Sequence, residues 1–361
     1  MSIALNAICP YFTMFPLEFP FSILKRYGSA GESVFDPFAG RGTTLYAARL
    51  LGLNAIGIDS NPVAVAISEG KLANTTRGHI VASARRILKD AAEPKYVPDG
   101  VFWELAFHRD VLRSLCQLRE ALMYNCESDS RKALRAVILG ALHGPLTKTE
   151  PSYFSNQCPR TYSPKPRYAT KFWYAHGLTA PRVNVFHVVE RRAARYFGEE
   201  RTTASGRVIA GDSQNLAYFS GLPKSSWIVT SPPYYGMRTY IPDQWLRLWF
   251  LGGKPDVDYS NTDQLSHCGR EVFRQGLEKV WTNCATVVKL GARLVIRFGA
   301  INDRRIDPII LIKDSLRDTP WKLQTCRSAG TASNGKRQVD HFARANTAIR
   351  EYDFWAERGR W

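Results

Sequence analysis

The feature that most constrains the fold is the stretch at residues 33–44, Ser-Val-Phe-Asp-Pro-Phe-Ala-Gly-Arg-Gly-Thr-Thr. A short apolar run ends at Asp36 and is followed by a tight turn that contains Gly40 and Gly42. The two threonines then open a run at helical spacing that stops at Gly52, a residue typical of a helix C-terminus. Strand, glycine turn and helix in this order are the layout of a nucleotide-type cofactor site, because glycine lets the backbone approach a ligand closely.

A second apolar run strengthens this interpretation. Residues 54–59 read Asn-Ala-Ile-Gly-Ile-Asp, and Pro62 suits the first turn of the helix that follows. An acid at the end of the second strand, here Asp59, is placed to accept both hydroxyls of a ribose. The glycine turn is not Gly-x-Gly-x-x-Gly, so a dinucleotide pyrophosphate site fits poorly. The alternative is a purely structural turn, and the acids on both sides of the turn argue against it.

The second motif, Ser231-Pro232-Pro233-Tyr234, follows an apolar run at residues 227–229 and therefore lies at the C-terminal end of a strand. Together with residues 36–44, this motif resembles the S-adenosylmethionine-dependent DNA amino-methyltransferases, which methylate cytosine N4 or adenine N6. The resemblance covers the start and the last third of the chain well and the middle poorly. It implies that the first block binds S-adenosylmethionine and that the second holds the target amino group.

The resemblance also implies a set of cofactor-binding residues. An N-terminal segment of the family packs beside the methionine end of the cofactor, and an acid after the third strand accepts a hydrogen bond from its adenine amino group. The residues expected at the cofactor are Phe12, Thr13, Pro16, Asp36, Phe38, Gly40, Gly42, Thr43, Thr44, Asp59 and Asp212. For the N-terminal residues the alternative is a clamp over the sheet edge, and for Asp212 it is a turn cap.

The catalytic residues expected are Ser231, Pro232, Pro233 and Tyr234. An exocyclic amino group is a poor nucleophile because its lone pair is delocalised into the ring. Two acceptors at fixed spacing, the Ser231 side chain and the Pro232 carbonyl, would free that lone pair, and the prolines hold them in place beforehand. Tyr234 can stack on the base, which has to be flipped out of the duplex to be reached.

The target base is inferred from the first residue of the motif, Ser231. In the family that the chain resembles, serine is typical of cytosine-N4 enzymes and aspartate of adenine-N6 enzymes. Cytosine N4 is therefore favoured, and adenine N6 is the alternative. A cytosine-C5 enzyme needs a nucleophilic cysteine after a proline, whereas Cys9 and Cys158 both precede one, which disfavours that class.

The net charge of +17 and the pI near 9.7 indicate a polyanionic partner. Double-stranded DNA is the partner expected, with a cognate restriction endonuclease as a further one in a restriction-modification or phage-defence setting. An RNA base methyltransferase is an alternative, since a basic surface serves either polymer. A non-enzymatic DNA-binding module is a third possibility, and the charge disfavours a protein or small-molecule substrate.

A chain of 361 residues has room for one large α/β domain with a substantial insertion. The alternation of strand and helix patterns at both ends predicts a Rossmann-like class I methyltransferase sheet, mostly parallel, with the last strand antiparallel. Residues 1–73 would form its cofactor half and residues 207–361 its catalytic half. Residues 74–206, where helical spacing dominates, are expected to form a helical insertion between the halves and to read the DNA.

A long loop is predicted at residues 143–181, where basic and aromatic side chains alternate. Such residues suit phosphate contacts and base stacking, although a strap that packs its aromatic rings on the helices is an alternative. A basic helix face at Arg191, Arg192 and Arg195 is a weaker candidate for phosphate contact. The DNA-binding residues expected are Asn156, Gln157, Arg160, Lys165, Arg167 and, after the catalytic motif, Arg238.

The seven cysteines are odd in number, and no two are spaced as Cys-x-x-Cys. This pattern argues against a disulfide framework and against a zinc site, and no metal is expected. No apolar run is long enough for a membrane span, and no basic segment precedes the apolar N-terminus as in a signal peptide. The sequence therefore predicts a cytoplasmic protein that associates with the nucleoid through DNA.

Overall fold

The computed structural model describes residues 3–10, 15–145, 152–159, 164–198, 204–235, 242–257, 269–299, 307–331 and 350–360. The strands within them are β1 (Ser33–Asp36), β2 (Asn54–Asp59), β3 (Gly206–Ala210), β4 (Ser225–Thr230), β5 (Val288–Gly299), β6 (Trp321–Thr331) and β7 (Arg350–Arg358). The helices are α1 (Glu18–Tyr27), α2 (Thr43–Leu50), α3 (Pro62–Leu72), α4 (Arg77–Asp90), α5 (Val101–Ala106), α6 (Arg109–Tyr124), α7 (Asp129–Ala141), α8 (Pro166–Ala175), α9 (Val185–Tyr196), α10 (Trp245–Phe250), α11 (Arg270–Ala285) and α12 (Pro308–Leu316).

The strands form one sheet in the order β3-β2-β1-β4-β5-β7-β6. All neighbours from β3 to β5 pair in parallel, and β7 pairs antiparallel with both β5 and β6. From the central β1 the chain winds to one edge and then, from β4, to the other, which is the Rossmann-like arrangement of class I methyltransferases. The predicted fold class is confirmed, and so is the antiparallel last strand.

The chain divides into two compact units, each built from three segments. The sheet unit comprises Tyr11–Ser68, Thr202–Thr239 and Thr262–Trp361, and the helical unit comprises Met1–Pro10, Glu69–Arg201 and Tyr240–Asn261.

The helical unit thus extends beyond the predicted insertion at residues 74–206. Long-range contacts that local sequence patterns do not reveal hold the added segments in it. The fully buried Lys71 amine donates to the side chain of Asn6 at 2.9 Å, and the Trp245 indole N–H donates to the Pro164 carbonyl at 2.9 Å.

The core of the sheet unit is apolar, and its buried indoles find hydrogen-bond partners as such groups require. Trp281 on α11 donates to the Ser315 hydroxyl of α12 at 3.1 Å, and Trp321 at the start of β6 donates to the Trp281 carbonyl at 2.8 Å. Leu294 and Ile296 of β5 have no exposed surface. These contacts fix α11 and α12 on one face of the sheet.

An aromatic cluster organises part of the helical unit. Phe102 and Trp103 of α5 lie 4.9 Å and 5.7 Å from Trp245 of α10, measured between ring centroids. Phe102 also lies 5.7 Å from Trp173 of α8, whose indole N–H donates to the Gln157 carbonyl at 3.0 Å. The cluster therefore anchors both α8 and α10 on α5.

The long loop predicted at residues 143–181 is wrong over Pro166–Ala175, which is α8. Pro166 occupies the first turn, where its missing N–H costs nothing. Ala169 and Trp173, one turn apart, are the buried residues. Many prolines around one short amphipathic run hid this helix from the sequence analysis, and the six-residue α5 was missed because it is shorter than two turns.

Two further expectations concern disulfides and membrane spans. Of the cysteines in the described residues, Cys9, Cys116, Cys158 and Cys284 are buried thiols, and Cys126 and Cys326 are half-buried thiols. Across the same part of the chain, no helix combines the length and apolar character needed to cross a membrane.

Candidate active site

The carboxyl ends of β3, β2, β1 and β4 meet at one edge of the sheet, because these strands are adjacent and parallel. Asp36, Asp59 and Thr230 each end a strand, and Asp212 follows β3 by two residues. The sequence motifs, distant along the chain, therefore converge on the edge where α/β sheets bind ligands.

Three hydrogen bonds tie the neighbouring strand ends to the segment that follows β1. The Gly40 N–H donates to Asp59 Oδ2 of β2 at 2.7 Å. The Thr230 hydroxyl of β4 donates to Asp36 Oδ1 at 2.6 Å, and the Ser213 hydroxyl after β3 donates to the Pro37 carbonyl at 2.6 Å. Each bond joins a different neighbour to one short segment, so this edge is held as a single framework.

The glycine turn is a cradle that a side chain would fill. Gly42 has φ +71°, and a Cβ there would lie 2.7 Å from the Ser68 Oγ. Ser68 in turn donates its hydroxyl to the Gly40 carbonyl at 3.0 Å. The turn leads directly into α2, whose first N–H groups are available to an electronegative ligand. These features fit the nucleoside cofactor that the resemblance implies.

The Asp59 carboxylate holds the cradle from the side of β2. Besides the Gly40 N–H, it accepts the Asn61 N–H at Oδ1 over 2.9 Å. Burial raises the pKa of Asp59, and these two hydrogen bonds oppose the shift. A carboxylate offers about four lone-pair positions, so acceptor capacity remains for ribose hydroxyls. Ribose binding by Asp59 stays a prediction.

Asp36 ties the end of β1 to the end of β4 through its side chain. Its side chain has no exposed surface, and Oδ1 accepts hydrogen bonds from the Thr230 hydroxyl and from the Phe38 N–H at 3.0 Å. Burial raises the pKa of Asp36 to about 6, and the two hydrogen bonds limit the rise. Asp36 therefore positions the two motifs against each other, and its contact with the cofactor stays a prediction.

The side chains of Thr43 and Thr44 are buried as well, and contact of either residue with the cofactor stays a prediction. What they can offer a ligand is backbone N–H groups at the start of α2.

The remaining cofactor candidates fall into two groups. Phe38 and Pro16 are half-buried, and Phe38 packs edge-on against Trp281 at 6.0 Å. Asp212 is exposed and accepts the Gln214 N–H at 2.9 Å, so it caps its own turn and still has a free face toward solvent. Phe12 and Thr13 lie outside the described residues.

The catalytic motif Ser231-Pro232-Pro233-Tyr234 follows β4, and the structure adds a partner for its tyrosine. The Tyr234 hydroxyl donates to Glu351 Oε1 at 2.6 Å, and its ring packs edge-on against Phe298 at 5.4 Å. Glu351 is buried on β7, opposite Gly299 in the β5 register. Two neighbouring strands thus fix the orientation of Tyr234.

Tyr234→Phe and Glu351→Leu are each expected to lower kcat about tenfold, because each removes the hydrogen bond that orients the ring. The double variant should lose no more than the larger single loss, since both changes break the same bond. Steady-state kinetics of the four proteins would measure this, with Tyr352→Phe on the same strand as control. Losses that multiply in the double variant would show that the two residues act independently.

The DNA-binding candidates are distributed differently from expectation. Asn156 is buried and donates its amide to the Leu105 carbonyl at 3.2 Å, which argues against base contact. Gln157 is half-buried, whereas Lys165 and Arg167 are exposed. Lys165 lies 3.9 Å from the Asp243 carboxylate. Arg160 and Arg238 lie outside the described residues.

The expected basic face of α9 is wrong at Arg192. That guanidinium is buried, lies 4.6 Å from the ring centre of Tyr153 and donates to the Ser152 carbonyl at 2.9 Å. It anchors residues 152–159 and is not presented to a phosphate.

Four residues of the site were not identified from the sequence: Ser68, Ser213, Thr230 and Glu351. Thr230 and Ser213 adjoin strand ends, and a search for hydroxyls beside the motif acids would have found them. Ser68 lies within α3 and Glu351 lies 117 residues from Tyr234, and no sequence pattern marks either one.

Metal chemistry has no support in the described residues, where no cluster of three or more histidine, cysteine, aspartate or glutamate side chains could hold an ion.

Comparison with known proteins gives matches to the first motif region. The DNA methylase family model matches residues 6–70. The Type II methyltransferase M.MjaII of Methanocaldococcus jannaschii is 40% identical over 67 residues, which span 19% of this chain and 13% of that protein. The Type II methyltransferase M.BsoBI of Geobacillus stearothermophilus is 42% identical over 50 residues, 14% of this chain and 10% of that protein.

Solved structures are more distant. An rRNA methyltransferase from Streptomyces viridochromogenes aligns over 99% of this chain and 90% of its own at 13% identity, with a TM-score of 0.38, too low to carry an argument about substrate. The sequence matches confirm, over residues 6–70, the resemblance to the DNA amino-methyltransferases, and with the fold they support S-adenosylmethionine as the cofactor.

Proposed function

We propose that the protein is a DNA methyltransferase that transfers a methyl group from S-adenosylmethionine to the N4 amino group of cytosine in a flipped-out base. The observation that carries the proposal is the 2.6 Å hydrogen bond from Thr230 to Asp36. It supports the proposal because Ser231 directly follows a strand end that is tied to the segment expected to bind the cofactor.

The chemistry follows from what the residues can accept and hold. The Ser231 hydroxyl and the Pro232 carbonyl accept hydrogen bonds from the two amino hydrogens, which moves the nitrogen toward sp³ geometry and frees its lone pair. When bound, S-adenosylmethionine supplies a methyl group on a sulfonium, so that the N–C bond forms as the C–S bond breaks. A neutral serine is a weak proton acceptor, and the amino proton therefore leaves after the attack. Alignment and exclusion of water supply the acceleration.

The orientation of Tyr234 suits stacking on the base. The bond to Glu351 and the contact with Phe298 fix the ring before a base arrives. A ring fixed in advance loses less entropy on binding the base.

The serine of the motif favours cytosine N4, since that letter is typical of cytosine-N4 enzymes in the family. Adenine N6 is the second candidate, because a serine hydroxyl can accept from either amino group. The substrate is double-stranded DNA, in line with the net charge of +17. The two Type II relatives support a restriction-modification or phage-defence role with a cognate endonuclease, and the protein acts in the cytoplasm at the nucleoid.

Nucleoside mass spectrometry tests the reaction and the base together. The protein is incubated with labelled S-adenosylmethionine and DNA of mixed sequence, and the DNA is digested to nucleosides. We expect labelled N4-methylcytosine with the wild-type protein and none with Ser231→Ala. Labelled N6-methyladenine would keep the mechanism and reject the choice of base. Label in RNA and none in DNA would reject the substrate class.

A further inference from the structure

Helix α8 presents a cationic and aromatic face that the catalytic site does not use. Ala169 and Trp173 form its buried side, and Trp173 packs on Phe102 of α5. At 100° per residue, the positions opposite this side are Arg167, Lys171 and Tyr174, flanked by Tyr168. All four are exposed, with Tyr168 at 53% and Tyr174 at 64%.

The charged side chains on this face of α8 and next to it in the sequence are all cationic. Residues 164–182 contain Lys165, Arg167, Lys171 and Arg182 and no aspartate or glutamate. Arg182 is paired with Asp110 at 3.0 Å. Neither Arg167 nor Lys171 contacts an acidic group of the residues that the structure describes. Two adjacent cations without counter-charges suit a polyanion.

The rings on the flank of α8 are stacked in advance. Tyr168 and Phe172 lie 6.4 Å apart with their planes at 19°, and Phe172 lies 4.2 Å from His176. These rings are spaced four residues apart along the helix, so they form a ladder beside the cations. An exposed ladder of this kind costs solvation in the free protein and offers flat contact area to bases or sugars.

We propose that α8 is the helix through which the helical unit contacts duplex DNA. Arg167 and Lys171 contact phosphates, and Tyr168 and Tyr174 contact the bases or sugars between them. The proposal rests on the proposed function, which makes DNA the substrate, and it adds which element holds that substrate.

The dimensions of α8 agree with this role. Ten residues make a helix about 15 Å long. The DNA major groove is about 12 Å wide and admits one α-helix. In the part of the chain that the structure describes, the residues opposite the buried Ala169–Trp173 side are exposed, so this face of α8 can approach a groove while the other face stays packed.

The test measures DNA binding in a Ser231→Ala background, so that no turnover occurs. The probe is a labelled duplex of mixed sequence, titrated at several salt concentrations. The test variant is Arg167→Gln with Lys171→Gln. The matched control is Arg86→Gln with Lys89→Gln, which removes the same two charges from exposed positions of α4 in the same unit.

The α8 double variant is expected to lower the slope of log affinity against log salt by about 2, because two phosphate contacts are lost. Tyr174→Ala should weaken binding about fivefold or more with the slope unchanged, because it removes contact area and no charge. The α4 control should keep the slope within about 0.5 of the parent value. S-adenosylmethionine binding, followed in parallel, should be unchanged in all of them.

Equal salt slopes for the α8 and α4 variants would overturn the proposal, since charge on α8 would then act only through net charge. If wild-type protein transfers methyl groups to DNA while α8 substitutions leave binding unchanged, the proposed function stands and the role of α8 falls. If the parent protein binds no duplex and the wild-type protein transfers label only to RNA, the proposed function itself fails, and the role of α8 fails with it.

Discussion

Ser231→Ala is expected to lower kcat about 100-fold or more while leaving the affinity for S-adenosylmethionine within about twofold. The serine hydroxyl is one of two fixed acceptors for the amino hydrogens, and loss of one preorganised hydrogen-bonding group in an active site costs about 10²–10³ in kcat. The cofactor segment is held by Asp59, Ser213 and Ser68, none of which the substitution touches. We therefore expect Ser231→Ala to bind S-adenosylmethionine normally and to be slow in methyl transfer.

Single-turnover methyl transfer and calorimetric titration with S-adenosylmethionine measure the two quantities separately. Asp59→Ala is the reciprocal variant. It should weaken cofactor affinity by about 1–3 kcal/mol, because a half-buried acceptor of the cradle is lost. The opposite pattern, in which Ser231→Ala loses the cofactor and Asp59→Ala loses only turnover, would show that the two roles are exchanged.

Asp36→Asn is expected to remove a pH-dependent contribution of about 3 kcal/mol from the free energy of unfolding. Asp36 has its pKa raised from 3.8 to about 6 by burial, so the native state holds its proton more tightly than the unfolded state. The stability that this proton contributes is complete below about pH 4 and is lost as the pH rises through about 6. Each pKa unit corresponds to about 1.4 kcal/mol. Asparagine keeps the same shape and does not titrate.

Urea unfolding of both proteins at several pH values measures the effect as a difference. The free energy of unfolding of Asp36→Asn minus that of the wild type should rise by about 3 kcal/mol from pH 3 to pH 8. Thr230→Val provides a second test, because the Thr230 hydrogen bond lowers the pKa of Asp36. Its removal should move the transition to higher pH. A pH-independent difference for Asp36→Asn would mean that the carboxyl does not titrate in this range.

The cofactor segment and the catalytic motif could be predicted from the sequence because their signals are local. An acid at the end of an apolar run, paired glycines and a Ser-Pro-Pro-Tyr motif can be read within a dozen residues. The edge of the sheet on which they meet then follows from parallel strands alone. What the sequence could not show is which of these residues face a ligand. Asp36 was expected at the cofactor. Its side chain is buried against Thr230, a contact that the sequence does not reveal because the two residues lie 194 positions apart.

The middle of the chain was harder for the same reason. The pattern of Asn156, an amide among aromatic and basic residues, is that of a base-reading loop, yet its side chain supports the Leu105 carbonyl. Arg192 has the spacing of an exposed basic face and instead packs on Tyr153. Tertiary contacts decide which side chains are buried. Polar side chains that stabilise loops are of the same residue types as those that bind DNA, so the sequence alone does not separate them. Among the DNA-binding candidates in the described residues, Lys165 and Arg167 are cationic and also exposed to solvent, as DNA contact requires.

The position of β7 between β5 and β6 determines when the sheet can be completed during synthesis of the chain. Strands β5 and β6 do not pair with each other. During translation, β6 can therefore join the sheet only after β7 (Arg350–Arg358) has been made. The same late segment carries Glu351, which orients Tyr234. Completion of the sheet and completion of the pocket therefore both wait for β7, and a nascent chain that stops before β7 lacks both.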